Sequence, residues 1–146
     1  MRRAAGFALA AVMTACAAAA AQALPSYRVD GDAIRERLAE AGDASRGKQV
    51  VASRDSNCLL CHSVPDAGTR IMGNLGPPLS GVGVRLSEAQ LRLRIVDGSR
   101  LNADTIMPPY YRTTGLQRVA RNFEGKTILT AAQVEDVVAY LVTLKD

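Results

Sequence analysis

Cys58, Cys61 and His62 are the residues whose types and spacing could do chemistry together. Two thiols separated by two residues can add to the two vinyl groups of one haem, and an imidazole directly after them can bind the iron. The pattern therefore predicts one covalently attached haem, with His62 as an axial ligand of its iron.

Other interpretations of this motif explain less of it. A zinc site normally takes four ligands, and the chain beyond its N-terminal leader offers only two cysteines and one histidine. A thioredoxin-like Cys-x-x-Cys pair needs a β-α-β context, and no strand pattern flanks Cys58 or Cys61. A structural disulfide would leave His62 without a role. Haem attachment is the favoured interpretation.

The second axial ligand is predicted to be a methionine, because His62 is the only histidine of the sequence. Met72 and Met107 are the two candidates beyond the leader. Met107 is followed by Pro108 and Pro109, which restrict the backbone and could hold a loop in place. We therefore predict Met107 as the distal ligand, with filling of the core as the alternative role for its side chain.

A ligating imidazole almost always donates its second ring N–H to an acceptor. The segment 76–81, Gly-Pro-Pro-Leu-Ser-Gly, follows His62 closely. We predict that the backbone carbonyl of Pro77 is this acceptor, with an ordinary turn as the alternative for the segment.

The N-terminus has the pattern of a cleavable secretory signal peptide. Arg2 and Arg3 precede an Ala-rich apolar run that ends in Ala21-Gln22-Ala23. The run approaches membrane-spanning length, but the small residues favour cleavage after Ala23. We expect residues 1–23 to be removed, a periplasmic location and no permanent membrane anchor.

The remaining chain, residues 24–146, has the length of one small domain. Without Arg2 and Arg3, 16 basic residues face 14 acidic ones, which gives a formal charge of +2. The arginines are scattered among acids without interleaved aromatic residues, so nucleic-acid binding is not expected. Aromatic residues are few, and a haem would supply the large apolar body that they do not.

Several helices are expected to position the motif. In an N-terminal extension, residues 24–43, the spacing of Ile34, Leu38 and Ala41 predicts a helix that ends at Gly42.

A helix at about 44–53 should follow, capped by Asp43. We predict that Gly47 lies on its inner face, because a glycine there permits close approach of the last helix near Tyr140.

Two capping boxes predict the starts of two further helices, Ser87 with Gln90 and Thr130 with Gln133. Regions 63–86 and 98–129 are rich in Gly, Pro, Asn and Thr, and are predicted mainly as loops. Long loops normally argue against a compact domain, but a haem packed between them removes the objection. The predicted fold is all-α, with about four helices and long loops around one haem.

The order of helix, Cys-x-x-Cys-His, Gly-Pro-x-Leu-x-Gly, Met-Pro and helix resembles the small single-haem cytochrome c fold over residues 44–146. The stretch Met107-Pro108-Pro109-Tyr110 and the C-terminal segment 128–141 are similar to one branch of it. That branch is the SoxX subunit family of the SoxAX cytochrome complex, in the Sox thiosulfate-oxidising system.

This resemblance implies one haem c attached to Cys58 and Cys61, axial ligation by His62 and Met107, and electron transfer. It also implies a heterodimer with a SoxA-like haem subunit. That partner would hold the catalytic centre of an L-cysteine S-thiosulfotransferase, which joins thiosulfate to a cysteine of a SoxYZ-like carrier. The present chain would accept the electrons and pass them to a downstream cytochrome.

Two alternatives stay open beside this function. One is a free periplasmic electron carrier without an enzyme partner. The other, a haem-based ligand sensor, needs an open iron site and is disfavoured by Met107.

Overall fold

The computed structural model describes Leu24 and residues 26–146. The expected signal peptide, residues 1–23, lies outside the described residues. The described chain contains five α-helices: α1 (Ala44–Ala52), α2 (Cys58–Cys61), α3 (Val82–Arg85), α4 (Glu88–Asp97) and α5 (Ala131–Leu141). Two 3-10 turns, Gly98–Arg100 and Arg121–Phe123, lie in the loop between α4 and α5.

The described part contains no strand and only one isolated antiparallel bridge, between Asp30 and Ala33. The all-α fold with long loops is therefore confirmed. Within the same residues, no helix is long and apolar enough to cross a membrane.

Helices α1 and α5 cross at close range, as the glycine in α1 predicted. A Cβ atom on Gly47 would overlap the backbone carbonyl of Asp136 and would lie 2.8 Å from the Cβ of Tyr140. The crossing is also held by charge, because the Arg46 guanidinium donates to both carboxylate oxygens of Asp136, at 2.9 and 2.7 Å. This contact lowers the pKa of Asp136.

Helices α4 and α5 both begin with the predicted capping boxes, at Ser87 and Thr130. Between the two helices lies a buried ion pair that the sequence pattern did not reveal. Arg92 donates to the two carboxylate oxygens of Glu135 at 2.7 and 2.8 Å, and both side chains are 2% exposed. Such a pair is stable only when its remaining polar atoms also find partners.

The N-terminal extension supplies those partners, and the helix predicted for it is wrong. In a helix, the Leu38 N–H would donate to the Ile34 carbonyl. Here Arg92 donates to the Ile34 carbonyl at 2.8 Å, and the Leu38 N–H donates to Glu135 at 3.0 Å. Ile34 and Leu38 are buried, but tertiary hydrogen bonds replace the helical ones, and the segment is irregular.

Candidate functional site

The motif cysteines lie on α2, a single helical turn. Its N-cap, Asn57, has a left-handed backbone (φ 53°), and the His62 N–H closes the turn by donating to the Cys58 carbonyl at 2.9 Å. Cys58 and Cys61 are half-buried free thiols. Burial raises the pKa of the Cys58 thiol.

These residues form one wall of a cavity of about 560 Å³, within the usual range for cofactor pockets of about 300–1,000 Å³. Much of the remaining wall is aliphatic, from α1, α3, α4, α5 and both long loops. The residues predicted for the site all line this one cavity: Cys58, Cys61, His62, Pro77 and Met107.

The imidazole of His62 is fixed by the segment that the sequence singled out. Its Nδ1 lies 2.7 Å from the Pro77 carbonyl. Because a carbonyl can only accept, Nδ1 carries the proton, and Nε2 keeps its lone pair for a metal. Gly76 lies against the ring, and a Cβ there would come within 2.7 Å of Nδ1. A larger residue at this position would displace the imidazole.

The two candidate methionines have different surroundings. Met107 lines the cavity together with His62. Met72 is not among the described residues that line it, and its sulfur instead accepts a hydrogen bond from the Val64 N–H at 3.2 Å. The structure therefore brings only one of the two thioethers to the cavity.

Two arginines of the cavity wall were missed by the sequence analysis. Among the described lining residues, Arg85 and Arg94 carry the positive charge and Asp55 the negative charge. Arg85 is held by the carbonyls of Ser80 and Pro78 at 2.7 and 3.2 Å. The sequence held no signal for them, because charge alone does not show which arginines face a cavity.

The donor set fits a haem. The cavity combines two thiols from a Cys-x-x-Cys turn, an imidazole with a free Nε2, a thioether and aliphatic walls. Its two arginines could pair with the haem carboxylates, which otherwise would add negative charge to an apolar site.

The comparisons agree with this donor set. The cytochrome c family model matches residues 44–145, and the chain belongs to the cytochrome c family. It therefore carries a covalently bound haem c, and electron transfer is the function of the domain. No curated protein matches the sequence.

Within that family, the chain is a SoxX-like cytochrome. It is similar to a chain in the crystal structure of SoxXA from P. pantotrophus, with 32% sequence identity and a TM-score of 0.76. The match covers 86% of this chain and 98% of that one.

Proposed function

We propose that this protein is the electron-accepting subunit of a periplasmic SoxAX-type complex. In this proposal a SoxA-like partner holds the catalytic centre and oxidatively joins thiosulfate to a cysteine on a SoxYZ-like carrier. The present chain takes up the electrons and delivers them to a downstream cytochrome. The similarity to SoxXA over nearly the whole of that chain is the observation that carries the proposal.

The proposal gives a role to each of the five residues predicted for the site. Cys58 and Cys61 would hold the haem through thioether bonds, and His62 Nε2 and the Met107 sulfur would bind its iron. The bound haem supplies one-electron redox chemistry. Pro77 keeps the His62 ring in one orientation and one tautomer, since its carbonyl accepts the Nδ1 proton. If His62 and Met107 both bind the iron, this chain would leave no open position on it for a substrate, which favours electron transfer over catalysis in this subunit.

Two exposed aliphatic side chains away from the cavity favour a protein partner. Ile71 and Val84 are 90% and 69% exposed, and neither is among the described residues that line the cavity, so a haem there would not cover them. Single exposed aliphatic residues are common, but a partner surface needs such side chains, and a free carrier would leave them in water.

Co-purification tests the proposal. The full-length chain with a C-terminal tag, expressed in its own host with thiosulfate, should be recovered from the periplasm without residues 1–23. It should carry a second haem protein at a one-to-one ratio, identified by mass spectrometry and haem staining. The variant Ile71→Glu/Val84→Glu should lose that partner while keeping its own haem, because neither side chain is among the described residues that line the cavity. Recovery of the unaltered protein as a haem-loaded monomer would favour the free carrier.

A further inference from the structure

Tyr110 connects the loop that carries Met107 to the turn that carries the two cysteines. Its side chain is 5% exposed, and its hydroxyl donates to the Ser56 carbonyl at 2.7 Å. The same hydroxyl lies 4.0 Å from the sulfur of Cys58. A single side chain thus spans the cavity wall between the two segments that hold the candidate haem-binding groups.

The backbone of Tyr110 is fixed as well. Its N–H donates to the Ile95 carbonyl of α4 at 3.1 Å, and its carbonyl accepts from the Leu129 N–H at 3.0 Å. Only Pro108 and Pro109 separate it from Met107, and their rings leave little backbone freedom in between. A shift of the Tyr110 backbone would therefore also shift the Met107 backbone.

The Ser56 carbonyl depends on Tyr110 more strongly once the haem is attached. In the free thiol form, Cys58 makes a long contact of 3.9 Å to this carbonyl as a second donor. A thioether sulfur has no hydrogen to donate. The Tyr110 hydroxyl is then the side-chain donor that keeps this buried carbonyl satisfied, and losing it would leave the carbonyl unpaired. Burial raises the pKa of the Tyr110 phenol, so the hydroxyl stays protonated and able to donate.

We propose that Tyr110 is a positioning residue for the axial methionine: its hydrogen bond to Ser56 holds the Met107 loop closed over the cavity. This inference rests on the proposed ligation by Met107. The inference goes beyond that ligation, because it assigns part of the strength of the sulfur–iron bond to a side chain that does not touch the iron.

Imidazole titration of the oxidised holoprotein tests the inference, because imidazole must displace the methionine and its affinity reports how readily the loop opens. In Tyr110→Phe, loss of one hydrogen bond should tighten imidazole binding roughly two- to tenfold. Tyr111→Phe is the matched control. Tyr111 is also buried, at 2% exposure, and its hydroxyl is not among the described donors to the Ser56 carbonyl. Its affinity for imidazole should equal that of the unaltered protein.

A second variant separates the loss of the hydrogen bond from a change in side-chain packing. Replacing Tyr110 by 4-fluorophenylalanine keeps nearly the same shape without a donor, and it should bind imidazole like Tyr110→Phe. Equal affinities in Tyr110→Phe, Tyr111→Phe and the unaltered protein would overturn the inference, as would equal shifts in both phenylalanine variants.

Met107→Ala separates this result from a failure of the proposed ligation. If Met107→Ala keeps the near-infrared sulfur-to-iron band, Met107 is not the ligand, and both the proposed ligation and the role of Tyr110 are wrong. If that band disappears but Tyr110→Phe behaves like Tyr111→Phe, the ligation stands and only the role of Tyr110 is wrong.

Discussion

Two regions of the molecule use their polar groups in opposite ways. One is the set of contacts by which α1, α4 and the N-terminal extension pack against α5, here called the helical side. The other is the wall of the cavity, here called the cavity side. On the helical side, charged groups pair with one another, as Arg92 does with Glu135 and Arg46 with Asp136. On the cavity side, the imidazole, thiols and thioether line a space shaped for another molecule. The first arrangement is complete within the chain itself, and the second becomes complete only with haem. Changes on the two sides should therefore affect different measurements.

The largest expected effect is on the cavity side. Met107→Ala should retain the covalent haem but lose the near-infrared sulfur-to-iron band. It should also bind cyanide or carbon monoxide and have a lower reduction potential, since a methionine ligand raises the potential. Optical spectroscopy and redox titration measure these changes.

Met72→Ala is the control, because the Met72 sulfur accepts from Val64 outside the cavity wall. It should keep the band. Loss of the band in Met72→Ala and its persistence in Met107→Ala would assign the ligand to Met72. Persistence in both would point to a ligand from outside the chain.

On the helical side, Glu135→Gln should have the largest effect on stability. It leaves the 2%-exposed Arg92 guanidinium without its carboxylate, and a buried charge left alone costs about 3–5 kcal/mol. Chemical denaturation of the holoprotein measures the free energy of unfolding, while the haem spectrum should stay unchanged.

Glu88→Gln is the matched control for that variant. Glu88 is 52% exposed and lies 3.9 Å from the same Arg92, so its loss should cost no more than about 1 kcal/mol. Equal costs for the two variants would show that burial does not govern the strength of the Arg92 contacts.

A smaller loss of stability is expected at the crossing of α1 and α5. Gly47→Ala places a methyl group against the backbone of Asp136, which must shift, at a cost of about 1–3 kcal/mol. Ser45→Ala, at an exposed position of the same helix, should stay within about 0.5 kcal/mol of the unaltered protein. Thermal unfolding that is equal for both would mean that the helices cross with more space than the structure gives them.

Local sequence signals predicted much of the fold. The capping boxes at Ser87 and Thr130 act within one helical turn, and both helices begin where those residues predict. The motif at Cys58 is equally local, since its chemistry needs only the spacing of neighbouring residues. Gly47 also carried its own signal, because an inner glycine in a helix needs a packing reason.

The features that the sequence did not predict depend on distant partners. The pattern of Ile34 and Leu38 is helical in spacing, yet Arg92 and Glu135 bind the backbone groups that would close the helix. Arg85 was likewise an ordinary surface arginine in the sequence. Its place in the cavity wall depends on how α3 packs, and the residues next to it in the sequence do not predict that packing.

The contacts that close the helical side join the two ends of the chain. Leu38 and Glu135 lie 97 positions apart, and Asp43 and Asp136 lie 93 apart. During synthesis, α1 therefore emerges long before the helix against which it packs, and its glycine face has no partner until α5 is complete. Such distant pairings form late, because the chain between the partners loses conformational entropy when the two ends of that long loop are brought together. The Cys58–Cys61 turn lies between these partners in the sequence, so the two helices can close beside it only after α5 has formed.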